Sequence, residues 1–213
     1  MSDCCEFDNK ELDLAKKKEL KQIFIIVLAI NFVMFIAEFI GGILASSNAL
    51  LGDSLDMLGD ASVYGVSLLV MNKSSNLRAK ASLIKGLIML LLGFFVVYKS
   101  ILRIIVPTLP QAETITLLGV VALIANLVSF LLLMKHRKED INVKSAWICS
   151  RNDVTANVAV IGAGVLVAYF NSAWPDILVG LGISFLIIQS SVQVIIDAYK
   201  HSFVKEEVKV YEF

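Results

Sequence analysis

The sequence predicts an all-α membrane protein with six transmembrane helices and both termini in the cytoplasm. Hydrophobic residues make up 57% of the 213 residues, and the mean hydropathy is +0.78. Soluble domains contain only about 45–50% apolar residues. Six apolar stretches each approach the ~20 residues that a helix needs to cross the hydrocarbon of a bilayer. Lysine and arginine are concentrated on one side of these stretches, which indicates an orientation.

The predicted spans divide the chain into three parts. Residues 1–21 form a polar N-terminal segment, residues 22–200 form the six-helix transmembrane domain, and residues 201–213 form a short tail. Turn residues and prolines separate the apolar stretches, as expected where helices end. The six spans cover approximately residues 23–45, 49–71, 81–106, 115–134, 145–170 and 177–199.

The distribution of basic residues predicts the orientation of the spans. Basic residues cluster in the N-terminal segment, in the tail and in the loops at 72–80 and 135–144, whereas the loops near 46–48, 107–114 and 171–176 contain none. Cytoplasmic loops carry the excess of Lys and Arg in membrane proteins. Both termini are therefore expected in the cytoplasm. The formal net charge of zero gives no indication of nucleic-acid binding.

Three aspartates lie inside the second apolar stretch. Asp53, Asp56 and Asp60 are spaced so that they share one face of a helix. One Asp at the centre of a bilayer costs about 2.5–3.5 kcal/mol on insertion scales. Three carboxylates on one stripe therefore cannot face lipid, and they require a water-filled cavity, a cation or both.

A second polar stripe lies in the fifth span, where Cys149, Asp153 and Asn157 follow each other at intervals of four. A thiol and a carboxylate one turn apart form half of a four-ligand site, and Asp56 with Asp60 forms the other half. Zinc takes tetrahedral sites built from Cys, His and Asp or Glu. A thiolate favours Zn²⁺ or Cd²⁺ over Mg²⁺ and Ca²⁺, which prefer oxygen ligands.

Other polar residues in the spans have less specific interpretations. The competing interpretation of the aspartates is a buried group neutralised by Lys85 or Arg151. Asn126 is predicted to make a polar contact between helices, and Asp176 is predicted to cap the start of the sixth helix. Asp53 and Asn157 are predicted to line the pathway or support the ligands, with a bond to a neighbouring helix as the alternative for Asn157. Glu38 and Asn31 either line the pathway or make structural contacts, and the second interpretation is favoured.

Several of these motifs resemble the cation diffusion facilitator family. The run Leu50-Leu51-Gly52-Asp53-Ser54-Leu55-Asp56-Met57-Leu58-Gly59-Asp60 resembles the second-span signature of that family. Asn31, Glu38-Phe39-Ile40-Gly41-Gly42 and Ser46 match its first span, and Pro175-Asp176-Ile177 resembles the start of its sixth. Cys149 and Asp153 occupy the positions of its fifth-span ligand pair. The resemblance covers about residues 22–200.

The resemblance implies a transporter rather than an enzyme. Members export divalent transition metals, usually zinc, from the cytoplasm by alternating access in exchange for protons, and they are commonly homodimers. The implied metal ligands are Asp56, Asp60, Cys149 and Asp153. No permanently bound cofactor is implied, since Zn²⁺ or Cd²⁺ is the transported substrate. The expected location is a bacterial-type cell membrane, and the expected partners are metal ions, protons, lipid and a second copy of the chain.

Two departures from the family pattern affect these expectations. The fifth-span pair begins with Cys149, where the family often has His or Asp, so the resemblance does not define the preferred metal. Members usually carry a cytoplasmic metal-binding domain after the sixth span. Only about a dozen residues follow that span here, so the sequence is interpreted as a short member that lacks this domain.

The proton carriers are predicted from the ligand types. His136 and His201 are the two histidines, and neither lies within a predicted span. The aspartates and the Cys149 thiol are therefore expected to carry the protons, because ligands must lose protons to bind metal. Two alternatives of other classes remain at this point: a passive divalent-cation channel, and an intramembrane aspartyl hydrolase that would use Asp60 and Asp153.

Overall fold

The computed structural model describes residues 14–70, 75–137 and 141–210. These residues form six helices and, within these ranges, no strand, which confirms the predicted all-α class. The helix bounds agree closely with the predicted spans, and α1 and α6 extend beyond them. The helices are α1 (Leu14–Leu44), α2 (Asn48–Val70), α3 (Ser75–Ile105), α4 (Ala112–His136), α5 (Ile141–Phe170) and α6 (Trp174–Val210).

Five of the described helices, all except α2, are long and apolar enough to cross a membrane. Large apolar side chains cover their outer surface; Leu91 on α3, Leu117 on α4 and Phe185 on α6 are examples of exposed ones. In a water-soluble protein such a surface would drive aggregation, whereas in a bilayer it faces lipid tails. The prediction of a multi-pass membrane protein is therefore confirmed.

Helix α2 differs because it is central. It is 23 residues long and carries the three aspartates, and it alone among the described helices packs against all five others. Residues 48–65 are all buried or half-buried, so this helix can hold charged side chains without presenting them to lipid. Its apolar residues Leu50, Leu51 and Leu55 are fully buried in the main core cluster.

The first turn of α2 packs directly against α6. A Cβ atom added at Gly180 would lie 2.6 Å from the backbone carbonyl oxygen of Asn48, which is closer than any side-chain carbon can approach. Glycine at this position therefore allows the two backbones to touch, as small residues do between membrane helices.

A buried polar cluster, here called the Asp176 cluster, joins the ends of α2, α3 and α6. The Asp176 carboxylate accepts hydrogen bonds from the Ser47 hydroxyl, from the backbone N–H of Asn48 (2.7 Å) and from the backbone N–H of Ala49 (3.2 Å). Arg103 Nη1 lies 3.0 Å from Asp176 Oδ2. Both charged side chains are buried, at 0% and 7% exposure.

The position of Asp176 corrects one sequence prediction. The residue does lie in the first turn of α6, but its recorded hydrogen bonds satisfy the N-terminal amides of α2, not those of its own helix. Those amides have no partner within α2, and the positive end of the helix dipole favours the carboxylate. Sequence spacing could not predict this pairing, since Asn48 and Asp176 are 128 positions apart in the chain.

Candidate metal centre

The structure brings together the two helices that carry the predicted ligands. Asp56 and Asp60 lie on α2, and Cys149 and Asp153 lie on α5. The two helices pack against each other, and a hydrogen bond between Asn157 and Asp53 joins them. The site therefore joins two helices that are far apart in the sequence.

Three carboxyl groups meet where these helices touch, and we call them the carboxyl cluster: Asp56, Asp60 and Asp153. Asp60 and Asp56 lie close enough to Asp153 to act on its carboxyl group electrostatically. It is 8% exposed, and among the described residues its Oδ2 atom has no hydrogen-bond partner. Asp56 and Asp60 are half-buried. Acidic groups held this close in low-dielectric surroundings favour a bound cation.

The charges around Asp153 bear on the alternative that a basic residue neutralises these aspartates. The charged groups that act on Asp153 are other carboxyls, namely Asp60, Asp56 and Asp53. Arg151 is exposed. The recorded charges around Asp153 are therefore acidic.

Cys149 lies one turn before Asp153 on α5 and is half-buried. In the described ranges, no three His, Cys, Asp or Glu side chains are arranged closely enough to hold a metal ion. The four-ligand set of Asp56, Asp60, Cys149 and Asp153 therefore stays a prediction, although three of its members interact.

A second group of polar residues, here called the polar layer, is fully buried beside the carboxyl cluster. Asn157 Nδ2 donates to Asp53 Oδ2 (2.6 Å), and Asn126 Nδ2 donates to Asn157 Oδ1 (2.8 Å). The bond from Asn126 confirms its predicted polar contact between helices. Glu38 on α1 is the fourth residue of the layer, because its carboxyl group lies beside that of Asp53. All four side chains are at most 1% exposed.

The two α1 residues among the predicted pathway residues have different surroundings. Both Glu38 carboxylate oxygens are buried without a hydrogen-bond partner among the described residues. Asn31 is also buried, and its Nδ2 donates to the carbonyl oxygen of Val27 in its own helix (2.9 Å). Glu38 thus adds a carboxyl group next to Asp53, whereas the recorded bond of Asn31 is local to α1.

Sequence reasoning identified the polar residues but not all of their partners. Asn126 was predicted as a generic contact, and the structure connects it through Asn157 to Asp53. The sequence gives Arg103 no specific role, since it is one charge near the end of the third span. A polar residue inside a span is the available signal in each case, and a single sequence contains no signal for its partner.

Comparison with known proteins gives three informative relatives. The metal cation efflux system protein CzcD of Cupriavidus metallidurans is 25% identical over 191 residues, covering 81% of this chain and 60% of the relative. A cadmium, cobalt and zinc/H⁺-K⁺ antiporter of Bacillus subtilis is 27% identical, covering 81% and 61%. The zinc transporter ZitB of Pectobacterium atrosepticum is 28% identical, covering 76% and 55%. The chain therefore spans about 60% of the length of the relatives it matches.

A family model agrees with these matches. The model of the cation efflux transmembrane domain matches residues 24–201. That range contains all of the carboxyl cluster, the polar layer and the Asp176 cluster, so the match covers the part of the chain that carries the candidate site. The chain belongs to the cation efflux, or cation diffusion facilitator, family of membrane transporters.

Proposed function

We propose that the protein exports a divalent transition-metal ion from the cytoplasm, with Zn²⁺ as the main substrate and Cd²⁺ as a second one. The carboxyl cluster carries this proposal, because Asp153 is buried beside two further carboxyls inside a membrane domain. Such a group is stable only if a cation or protons offset the charge. Relatives named as zinc, cadmium and cobalt transporters support the choice of substrate.

The proposed ligands are Asp56, Asp60, Cys149 and Asp153. Three carboxylates and one thiolate match the four-coordinate preference of Zn²⁺. The thiolate also selects against Mg²⁺, which is far more abundant in cells and prefers oxygen ligands. Coordination by all four requires these side chains to come closer together than they lie in the described structure.

The proposed topology places residues 1–21 and 201–213 in the cytoplasm and makes residues 22–200 the transport domain. The basic loops support this orientation. Arg103 lies near the end of the helices opposite the basic loops, and its positive charge is offset by the Asp176 carboxylate. Asp53 is fully buried and lies nearer the Asp176 cluster, whereas Asp56 and Asp60 are half-buried.

Proton antiport follows from the ligand chemistry. Metal and protons compete for the same carboxylate and thiolate groups, so binding of one releases the other. His136 lies at the end of α4 with its Nε2 3.4 Å from Glu19, and the side chain of His201 is outside the described residues. The proposed proton carriers are therefore the aspartates and Cys149. The proposal includes a homodimer held by the membrane domain and no permanently bound cofactor.

The experiment uses purified full-length protein in liposomes with a metal-sensitive dye and a pH-sensitive dye inside. Zn²⁺ uptake should saturate and should be accompanied by proton movement in the opposite direction. Asp153→Asn should abolish both signals, whereas Glu113→Gln, which removes an exposed carboxylate at the start of α4, should leave them unchanged. Uptake by the Asp153→Asn variant at the wild-type rate would refute the site, and non-saturating uptake without proton flux would indicate a channel.

A further inference from the structure

We propose that Asn126 and Asn157 are positioning residues, and that their hydrogen-bonded chain to Asp53 holds the two ligand-bearing helices in register. The inference rests on the proposed metal-export function, since it concerns the same site. It assigns Asp53 to the anchoring of helix α5 and not to the coordination of metal.

The chain crosses three helices at one level of the bundle. Asn126 lies on α4, Asn157 on α5 and Asp53 on α2, with donor–acceptor distances of 2.8 and 2.6 Å. Asn157 is one turn after Asp153, and Asp53 is one turn before Asp56. The bond between Asn157 and Asp53 therefore joins α5 to α2 one turn away from the proposed ligands Asp153 and Asp56. A slip of one residue would move a helix by about 1.5 Å along its axis.

The order of the residues in this series of hydrogen bonds determines which way each side-chain amide points. An asparagine side chain has a donor on one side and an acceptor on the other. Because Asn157 Oδ1 accepts from Asn126, its Nδ2 is the group that is presented to Asp53. If the Asn157 amide were turned over, its carbonyl oxygen would face the carboxylate and repel it. Asn126 thus acts on the site through Asn157.

The orientation of the Asn157 amide is important because the three side chains are buried. All three side chains are at most 1% exposed, so water cannot replace a lost partner. Hydrogen bonds to an ionised group are roughly twice as strong as neutral ones. Asn157 donates to Asp53 Oδ2, and the Glu38 carboxyl group lies beside the same Asp53 carboxyl group. These contacts make Asp53 an anchor between helices.

A reciprocal exchange tests the role of the chain. Asn157→Asp should raise the KM for Zn²⁺ by about tenfold or more, the usual cost of losing a residue that orients metal ligands, because two carboxylates would then face each other. Adding Asp53→Asn again places an amide donor opposite a carboxylate acceptor, with the donor now at position 53 and the acceptor at position 157. The double variant should recover to within about threefold of the wild-type KM, because contacting residues are strongly coupled.

A milder variant covers the case in which Asn157→Asp does not fold. Asn126→Leu removes the donor with little change of shape, and it should raise the KM while the maximal rate per folded protein stays the same. A purely structural role would instead lower the amount of folded protein at an unchanged KM. Glu113→Gln serves as the surface control.

The outcomes separate this inference from the proposed function. If Asp153→Asn abolishes transport while Asn126→Leu keeps the wild-type KM, the positioning role is wrong and the metal site stands. The role is also wrong if Asp53→Asn alone is as inactive as Asp153→Asn and the double variant shows no recovery. If Asp153→Asn transports normally, the metal site itself is wrong.

Discussion

Asp176 and Asp153 are both buried aspartates that contact helix α2, and their surroundings differ in kind. Asp176 is paired with Arg103 and receives three further hydrogen bonds from the start of α2. Asp153 has other carboxyls as its charged neighbours, and one of its oxygens has no partner among the described residues. Arg103 offsets one charge, whereas the charged groups recorded around the other are carboxyls.

This difference separates a structural charge from a functional one. A buried pair such as Arg103–Asp176 fixes how helices meet, and removal of one partner leaves an uncompensated charge. Carboxyls that are buried beside one another repel, and a bound cation or protons relieve that repulsion. The same residue type therefore meets opposite surroundings at two places where α5 and α6 contact α2.

The largest effect is expected from breaking the structural pair. Arg103→Met should lower the free energy of unfolding by about 3–5 kcal/mol, because Asp176 would remain buried without a counter-charge. Thermal unfolding in detergent measures the change. The double variant Arg103→Met with Asp176→Asn should be less destabilised than the single one. Equal destabilisation of both variants would show that the charge pair is not the cause.

The carboxyl cluster should respond in the opposite way. Asp153→Asn should weaken Zn²⁺ binding by more than about a hundredfold, since loss of even an indirect support costs 10–100-fold. The same change should leave thermal stability equal to or above that of the wild type in metal-free buffer, because it removes a repelled charge. Isothermal titration and thermal unfolding give the two values, and a clear loss of stability in metal-free buffer would contradict this assignment.

A smaller effect is expected at the thiol. Cys149→Asp should weaken Cd²⁺ more than Mn²⁺, by about tenfold or 1.4 kcal/mol in the ratio of affinities, because soft ions prefer thiolate. Competition binding with both metals measures the ratio. An unchanged ratio would mean that the Cys149 sulfur does not contact the ion.

The smallest of these effects is the expected change of Zn²⁺ affinity with pH over the physiological range. Zn²⁺ affinity should fall as the pH is lowered, because the ligands must lose protons to bind metal. The slope should be shallower for Asp153→Asn, which has one titrating ligand fewer. Binding titrations at several pH values test this, and equal slopes would remove Asp153 from the group of proton carriers.

The architecture could be predicted from sequence because the bilayer imposes it. Span length, apolar composition and the spacing of Asp56 and Asp60 follow from local rules, and the helices lie where those rules predict them. The pairings of Asp176 with α2 and of Asn126 with Asn157 could not be predicted, since each depends on helices that are distant in the chain. Polar residues in spans indicate that a partner exists without identifying it.

The central claim is that one metal ion is held jointly by Cys149 and the aspartates of two helices. X-ray absorption at the zinc edge tests it most directly, on a variant in which Cys4 and Cys5 are changed to Ser so that Cys149 is the one remaining thiol. We predict one sulfur at about 2.3 Å and oxygen ligands at about 2.0–2.2 Å, with the sulfur lost in Cys149→Ser. A spectrum with oxygen ligands alone before that change would contradict the proposed site.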